Sequence, residues 1–179
     1  MDQGPGAFFL DETTTSRVPQ PGPALARLFA APMRPGALRW IGLRPARRAP
    51  VQAVERALLV PGTGLEGDRY AGTGRAGRQV TLIAAEDLAA VGAFLGRAVA
   101  PEEVRRNLLV AGVNLHALKG RRFRIGAALL EWSAECHPCS RMEEALGVGG
   151  YNALRMRGGI CARVLVGGAI ACGDVVEAA

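Results

Sequence analysis

The chain has 179 residues, enough for one well-buried domain and too few for two of ordinary size. No apolar run approaches the roughly 20 residues that span a bilayer, and a charged fraction of 21% is typical of a soluble globular protein, so we expect no membrane partner. Of the 22 basic residues only Lys119 is a lysine and the other 21 are arginines, so Schiff-base chemistry has a single candidate amine. The net charge of +6 suits an anionic ligand or a solvated basic surface.

The N-terminal region differs in composition from the rest. The first 36 residues hold six of the eleven prolines, which cannot sustain regular elements over most of this length. We therefore predict an extension over residues 1–37, in which the segment Phe8 to Leu10 could dock on the main domain and Pro23 to Ala31 could form a short helix. The first residues do not resemble a signal peptide, and without one the four cysteines do not indicate a secreted disulfide framework, so we expect a cytoplasmic protein.

From Leu38 onward the sequence consists of short strand patterns separated by turns. Strands are predicted at Leu38 to Arg44, Pro50 to Val60, Arg78 to Ile83, Asn107 to Val110, Gly120 to Ile125, Ala127 to Ser133, Ile160 to Val166, Ala169 to Ala171 and Asp174 to Glu177. Helices are predicted at Ala84 to Gly96, from Ser140 or Arg141 to Leu146, and at Tyr151 to Arg157, with a helical turn at Pro101 to Arg106. Strands outnumber helices without regular β-α alternation, which favours a mainly β (α+β) fold over residues 38–179: a closed mixed β-barrel with peripheral short helices.

The strongest local signal is the sequence Cys136-His137-Pro138-Cys139, between a predicted strand and a predicted helix. Ser140 and Glu143 have the spacing of a capping box, which places Cys139 immediately before the helix. Free backbone N–H groups at that position favour a thiolate, the form that acts as a nucleophile or as a soft metal ligand. His137 would be a neighbour that tunes the thiols.

Other interpretations of these cysteines remain open. A zinc site would need two more ligands, and the remaining cysteines, Cys161 and Cys172, do not form a second close pair. A thioredoxin-like dithiol also lies between a strand and a helix, although in that fold it comes early in the chain. Cysteines are also common as small buried apolar residues, which is our interpretation of Cys161 and Cys172.

Two further segments are candidate anion sites. The turn Gly64 to Arg69 contains glycines that let backbone amides approach an anion, and Arg75 and Arg78 follow it. The segment Arg105-Arg106-Asn107 places guanidinium and carboxamide groups at a junction between a helical turn and a strand. A solvated turn and an exposed helix end are the alternatives for the two segments.

The order of several short motifs resembles the MOSC family, named for the C-terminal domain of molybdenum cofactor sulfurases. The resemblance extends from about Leu38 to Glu177. It rests on Gly-Leu-Glu-Gly-Asp (64–68), Arg-Gln-Val-Thr-Leu-Ile (78–83), Arg-Arg-Asn-Leu (105–108), Gly-Val-Asn-Leu (112–115), Gly-Arg-Arg-Phe-Arg-Ile-Gly (120–126) and Cys-His-Pro-Cys (136–139).

This resemblance implies a β-barrel and a cysteine that either carries sulfur as a persulfide or ligates molybdenum. The matching residue is Cys139, which becomes the candidate catalytic residue and metal ligand. Some relatives reduce N-hydroxylated compounds and bind a molybdopterin-type molybdenum cofactor beside this cysteine. Their Arg-x-Asn motif matches Arg105 and Asn107, which would contact the pterin or its phosphate, and Arg78 and Asp68 are the remaining candidate cofactor-binding residues.

The resemblance therefore implies one of two functions. The first is a molybdenum-dependent reductase of N-hydroxylated or N-oxide-type small molecules, which would need an electron-donor protein. The second is a sulfur carrier that receives sulfur from a sulfurase partner and transfers it from the persulfide of Cys139. Full sulfurases have a separate pyridoxal-phosphate domain with a Schiff-base lysine, whereas Lys119 lies within the barrel segment, so we do not expect pyridoxal phosphate on this chain alone. Few aromatic residues and no recognised module argue against a nucleic-acid partner.

Overall fold

A computed structural model describes residues 22–72 and 77–179 of the chain. Residues from Pro32 to Ala179 form one compact unit. Helix α1, Pro23–Ala30, lies outside this unit and confirms the short helix predicted there. The segment Phe8 to Leu10 and Arg75 fall outside the described residues. The predicted division of the chain into an extension and a barrel domain stays a prediction.

The described residues form eleven strands, and seven of them close a mixed β-barrel. The strands are β1 Gly36–Leu43, β2 Gln52–Val54, β3 Arg56–Val60, β4 Gly64–Leu65, β5 Val80–Ala84, β6 Leu108–Ala111, β7 Arg122–Ile125, β8 Ala128–Glu135, β9 Ile160–Val166, β10 Gly168–Ala171 and β11 Val175–Ala178. The barrel order is β1-β11-β7-β8-β9-β5-β6 and back to β1. Only β5 and β6 pair in parallel, with Leu82 opposite Leu108, so the predicted closed mixed barrel is confirmed.

The barrel encloses the main apolar core. Strand β7 shows the expected alternation, with Phe123 and Ile125 buried and Arg122 and Arg124 exposed. Strand β5 is buried along its whole length, because its outer face is also covered: Ile83 packs in a second cluster with Leu88 and Val91 of the following helix. This double burial fixes β5 firmly, and the residues beside it include several of the candidate site residues.

The predicted strand from Pro50 to Val60 is divided in the structure. Strand β2 pairs with the end of β1, whereas β3 joins β10 and β4 in a separate three-stranded sheet. The chain passes between the two sheets at Glu55, the residue that separates β2 from β3. Pairing of β3 with β10, which lies far away in the sequence, decides this division.

Three α-helices and a 3₁₀ helix accompany the barrel in the described unit. They are α2 Ala85–Leu95, α3 Ser140–Leu146, α4 Gly150–Ala153 and the 3₁₀ helix Leu115–Leu118. Helix α2 confirms the prediction and ends at Gly96, whose φ of 67° is the left-handed conformation favoured by glycine at this position. None of the helices in the described ranges is long and apolar enough to cross a membrane.

The capping box predicted at the start of α3 does not form. Ser140 is the first helical residue, and Cys139 takes the capping position without a side-chain hydrogen bond. Glu143 instead accepts hydrogen bonds of 2.7 Å from the backbone N–H groups of Gly149 and Tyr151. It therefore fixes the start of α4, which is shorter than the helix predicted at Tyr151 to Arg157.

Gly159 provides a test of the packing between β5 and β9. Its φ is 83°, and a Cβ atom at this position would lie 1.9 Å from the carbonyl oxygen of Leu82. We expect Gly159→Ala to lower the free energy of unfolding by more than about 3 kcal/mol, because backbone must move to admit the methyl group. Gly120→Ala is the matched control: its φ is 70° and no atom lies within 4 Å of the added Cβ, so only the backbone strain of about 1–2 kcal/mol remains. Urea denaturation of both variants measures the difference, and equal losses would contradict this account.

Candidate functional site

A buried carboxylate forms the base of the candidate site. Asp68 follows β4 and is 4% exposed. Its Oδ2 accepts hydrogen bonds of 2.9 Å from both the backbone N–H and the Nε of Arg44, and its Oδ1 accepts one of 2.9 Å from Nη2 of the same side chain. Burial by itself would raise the pKa of Asp68, but the hydrogen bonds and charge of Arg44 outweigh it and hold the pKa below its ordinary value.

Asn107 extends this arrangement across three barrel strands. Its Nδ2 donates to Asp68 Oδ2 at 2.9 Å and to the carbonyl of Gly42 in β1 at 3.2 Å. Its Oδ1 accepts from Nη2 of Arg44 at 3.0 Å and from the backbone N–H and hydroxyl of Thr81 in β5 at 3.2 and 2.9 Å. We call Arg44, Asp68, Thr81 and Asn107 the Asp68 network. Its members use their hydrogen bonds to hold the strands and the Arg44 guanidinium in place.

A cavity of about 680 Å³ lies above this network and is strongly basic. Seven arginines of the described residues line it, whereas Glu144 is the one carboxylate among its lining residues. The full lining is Arg44, Arg48, Arg69, Tyr70, Arg78, Arg105, Arg106, Cys139, Ser140, Arg141, Met142 and Glu144. We call it the arginine cavity.

The guanidinium groups of this cavity differ in how firmly they are held. Arg44 pairs with Asp68, and Arg105 donates through Nη1 to the carbonyl of Ala49 at 3.0 Å. Within residues 22–72 and 77–179, the structure gives no acceptor for the guanidinium groups of Arg48, Arg69 and Arg141. These groups are available to a ligand.

The electrostatics of the cavity favour an anion. Burial, followed by repulsion from neighbouring guanidinium groups, lowers the pKa of Arg105 below its ordinary value. The repelling groups belong to Arg141, Arg44 and Arg69. A bound anion would relieve this repulsion, since it faces several cations at once.

Two of the lining arginines are among the four non-glycine residues of the described chain that have a positive φ. Arg48 has a φ of 66° and Arg105 a φ of 55°, a left-handed conformation that costs a residue with a Cβ roughly 1–2 kcal/mol. Strained residues persist where the surrounding structure holds them, and they are common at binding sites. Here the strain accompanies the placement of two guanidinium groups at the cavity.

The two cysteines of the Cys-x-x-Cys sequence lie in different environments. Cys139 is exposed and lines the arginine cavity. Cys136 is 1% exposed, and its Sγ accepts a hydrogen bond of 3.5 Å from Nη2 of Arg78. Cys161 in β9 also hydrogen-bonds to this sulfur, and together with the charges of Arg106 and Arg78 it lowers the pKa of Cys136 to about 6 despite burial.

The expectation that His137 tunes the thiols is not supported by its placement. The side chain is 70% exposed, and its Nε2 lies 3.9 Å from a carboxylate oxygen of Glu135. Arginines and Cys161 are the groups that act on Cys136 instead. Cys161 is buried as predicted, but it is a hydrogen-bonding partner of another thiol rather than only a small apolar residue.

The structure thus brings three of the predicted site residues together at one cavity, namely Arg78, Arg105 and Cys139. The other two, Asp68 and Asn107, belong to the buried network beneath it. Sequence reasoning missed Arg44 and Arg48, which no local motif marks. In the described residues no three side chains of His, Cys, Asp or Glu are grouped to hold a metal ion by themselves.

Several solved structures have a fold similar to that of this chain. The YuaD protein from Bacillus subtilis superposes with a TM-score of 0.72 at 19% identity, covering 81% of this chain and 96% of its own. YiiM from Geobacillus stearothermophilus gives a TM-score of 0.66 at 16% identity, covering 80% of this chain and 75% of its own. YiiM from Escherichia coli gives 0.60 at 21% identity, with 80% and 69% covered. At these identities the likeness establishes the fold.

No curated protein matches the chain in sequence. Residues 69–177 match the family model of the MOSC domain. This segment contains Arg78, Arg105, Asn107 and Cys139, and it covers more than half of the chain. The chain therefore belongs to the MOSC domain family, which is related to the molybdenum cofactor.

Proposed function

We propose that the chain binds a molybdopterin-type molybdenum cofactor in the arginine cavity, with Cys139 as a metal ligand, and reduces N-hydroxylated or N-oxide-type small molecules. One observation carries this proposal: an exposed cysteine and seven arginines line the same cavity. A soft sulfur donor and a group of guanidinium cations are the two kinds of ligand that a metal carried by a phosphorylated anion requires.

The residues present fit such a cofactor. The cavity volume of about 680 Å³ is in the range of small-molecule and cofactor sites. The cations at its wall greatly outnumber the carboxylates, so an anionic group replaces repulsion by attraction. Because the described residues offer no complete set of protein metal ligands, a metal at Cys139 would depend on donors that the cofactor brings.

Each group of residues has a separate role in this proposal. Arg78 and Arg105 donate hydrogen bonds to the phosphate, and the Asp68 network keeps Arg44 in place beneath it. Cys139 supplies the thiolate at the cavity wall. When bound, the cofactor supplies the two-electron chemistry that cleaves an N–O bond. The open cavity admits a small polar substrate, and electrons would come from a separate donor protein.

A sulfur-carrier function is the second candidate, and the exposure of Cys139 favours it. A persulfide must be reached by the group that accepts its sulfur, and Cys139 is exposed whereas Cys136 is buried. In that case the arginine cavity would hold the anionic acceptor, and the metal would not need to stay bound. Both candidates require Cys139, so cofactor content distinguishes them.

Replacing the cysteine tests the choice directly. We expect the wild-type chain, purified from a host that makes the cofactor, to contain molybdenum and pterin in equal amounts. Cys139→Ser should reduce the molybdenum content by more than about tenfold, because the thiolate ligand is lost. Elemental analysis measures the metal, and fluorescence of the oxidised pterin measures the cofactor.

The matched control is Cys172→Ser, since Cys172 lies outside the cavity lining and should leave both contents unchanged. A wild-type chain that contains no molybdenum but carries labile sulfane sulfur on Cys139 would contradict the reductase proposal and support the sulfur carrier. A chain with neither would contradict both.

Arg105 tests the anion site without the cofactor. Arg105→Asn removes the guanidinium group and places in the left-handed conformation a residue that tolerates it, so the fold should be retained. We expect inorganic phosphate to bind about tenfold more weakly, a loss of about 1.4 kcal/mol that is typical of a charged hydrogen bond. Calorimetric titration at low salt measures the affinity. Arg155→Asn, which removes the same charge from an exposed position outside the lining, is the control, and equal weakening in both variants would show that only net charge matters.

A further inference from the structure

A buried cation beside the arginine cavity has an unusual set of partners. Arg106 is 4% exposed, and its guanidinium donates to the backbone carbonyls of Gly158, Val104 and Cys136 at 2.8, 2.9 and 3.2 Å. No carboxylate of the described residues pairs with it. A buried charge is costly unless an opposite charge is near, so the structure should provide one.

The sulfur of Cys136 is placed to provide that charge. The residue follows β8, and its backbone N–H donates to the carbonyl of Gly159 at 2.8 Å, which fixes it beside β9. Its sulfur accepts a hydrogen bond from Arg78, and Cys161 and the charge of Arg106 also act on it. A thiol surrounded by two cations and a hydrogen-bond donor is stabilised as the thiolate, and the lowered pKa of Cys136 agrees with this.

Cys161 is the natural partner of this thiolate. It is 3% exposed and lies in β9, opposite Ala134 of β8 in the strand register. Its hydrogen bond to Cys136 and its burial raise its own pKa, so the proton of the pair stays on Cys161. Because Cys136 pairs with Gly159 through its backbone and Ala134 lies opposite Cys161, the two cysteines are diagonal neighbours on the same face of β8 and β9. The pair therefore contains one nucleophilic thiolate and one neighbouring thiol.

We propose that Cys136 and Cys161 form a redox-active dithiol, separate from Cys139, which a small peroxide oxidises to an intramolecular disulfide. The Cys136 thiolate attacks one oxygen of hydrogen peroxide, the O–O bond breaks, and the departing hydroxide takes a proton from solvent to become water. The resulting sulfenic acid reacts with the Cys161 thiol: an S–S bond forms, the S–O bond breaks, and a second water leaves with the thiol proton. The two thiols lose two electrons and the peroxide gains them.

The position of Arg78 gives the oxidant a route to the sulfur. Its side chain is exposed, lines the arginine cavity and contacts Cys136 Sγ, so one flexible guanidinium separates the buried sulfur from the cavity. Oxidation would remove the negative charge beneath Arg78 and leave that guanidinium without its sulfur acceptor. The dithiol requires no bound cofactor, so this proposal is independent of the proposed reductase function.

Peptide mapping after oxidation tests the dithiol. Trypsin leaves Cys136 and Cys139 in one peptide, Ile125 to Arg141, and Cys161 in another, Gly158 to Arg163. In the full-length Cys139→Ser protein, a link between these two peptides can therefore only join Cys136 to Cys161. After treatment with hydrogen peroxide we expect the intact mass to be lower by two hydrogen atoms. After alkylation of the remaining thiols and digestion, these two peptides should be linked, and the wild-type chain should give the same link.

A second variant traps the intermediate. In Cys161→Ser the resolving thiol is absent, so the sulfenic acid on Cys136 should persist and react with dimedone. Cys172→Ser is the matched control and should form the disulfide as wild type does. The proposal is overturned if peroxide concentrations that oxidise Cys139 in the wild-type chain give neither the link nor the dimedone adduct on Cys136, or if Cys136 links to Cys172 instead. Far-UV circular dichroism establishes that each variant is folded.

Discussion

The ion pair between Asp68 and Arg44 is the interaction on which the candidate site depends. A carboxylate that is 4% exposed is stable only when its charge is matched, and Arg44 matches it with three hydrogen bonds of 2.9 Å. Asn107 joins this pair to β1 and β5, so the network fixes the wall of the barrel and the base of the arginine cavity together. Removal of Arg44 would leave the Asp68 carboxylate buried without its charge partner, which affects the site and the fold at once.

The remaining charges at the cavity are not balanced in the same way. Neighbouring guanidinium groups repel Arg105, and both Arg105 and Arg48 adopt strained backbone conformations. Folding therefore tolerates both repulsion and strain at this position, and a bound anion would reduce the first of these costs. This is the pattern expected where stability is exchanged for ligand binding.

Local sequence signals predicted those parts of the fold that local interactions determine. Helix α2 follows from its apolar spacing and its terminal glycine, and the closed barrel follows from the number and spacing of the strands. The division of the strand at Glu55 depends on distant partners, and the failed capping box depends on Glu143 binding the backbone of Gly149 and Tyr151 instead. At the site, Cys139 and Arg105 were marked by motifs. Arg44 and Arg48 reach the cavity only because of long-range packing.

Cys136 and Cys139 lie in different environments because the chain leaves the barrel between them. Only two residues lie between them, yet the first is held against β9 by a backbone hydrogen bond, and the second lies at the start of α3 where the chain leaves the barrel. The buried sulfur is placed among cations and beside another thiol, conditions that favour a thiolate and a disulfide partner. The exposed sulfur shares its cavity with free guanidinium groups, conditions that favour a soft metal or a transferable sulfur. The same four-residue sequence therefore places its two cysteines in different environments, because one is buried against β9 and the other is exposed at the arginine cavity.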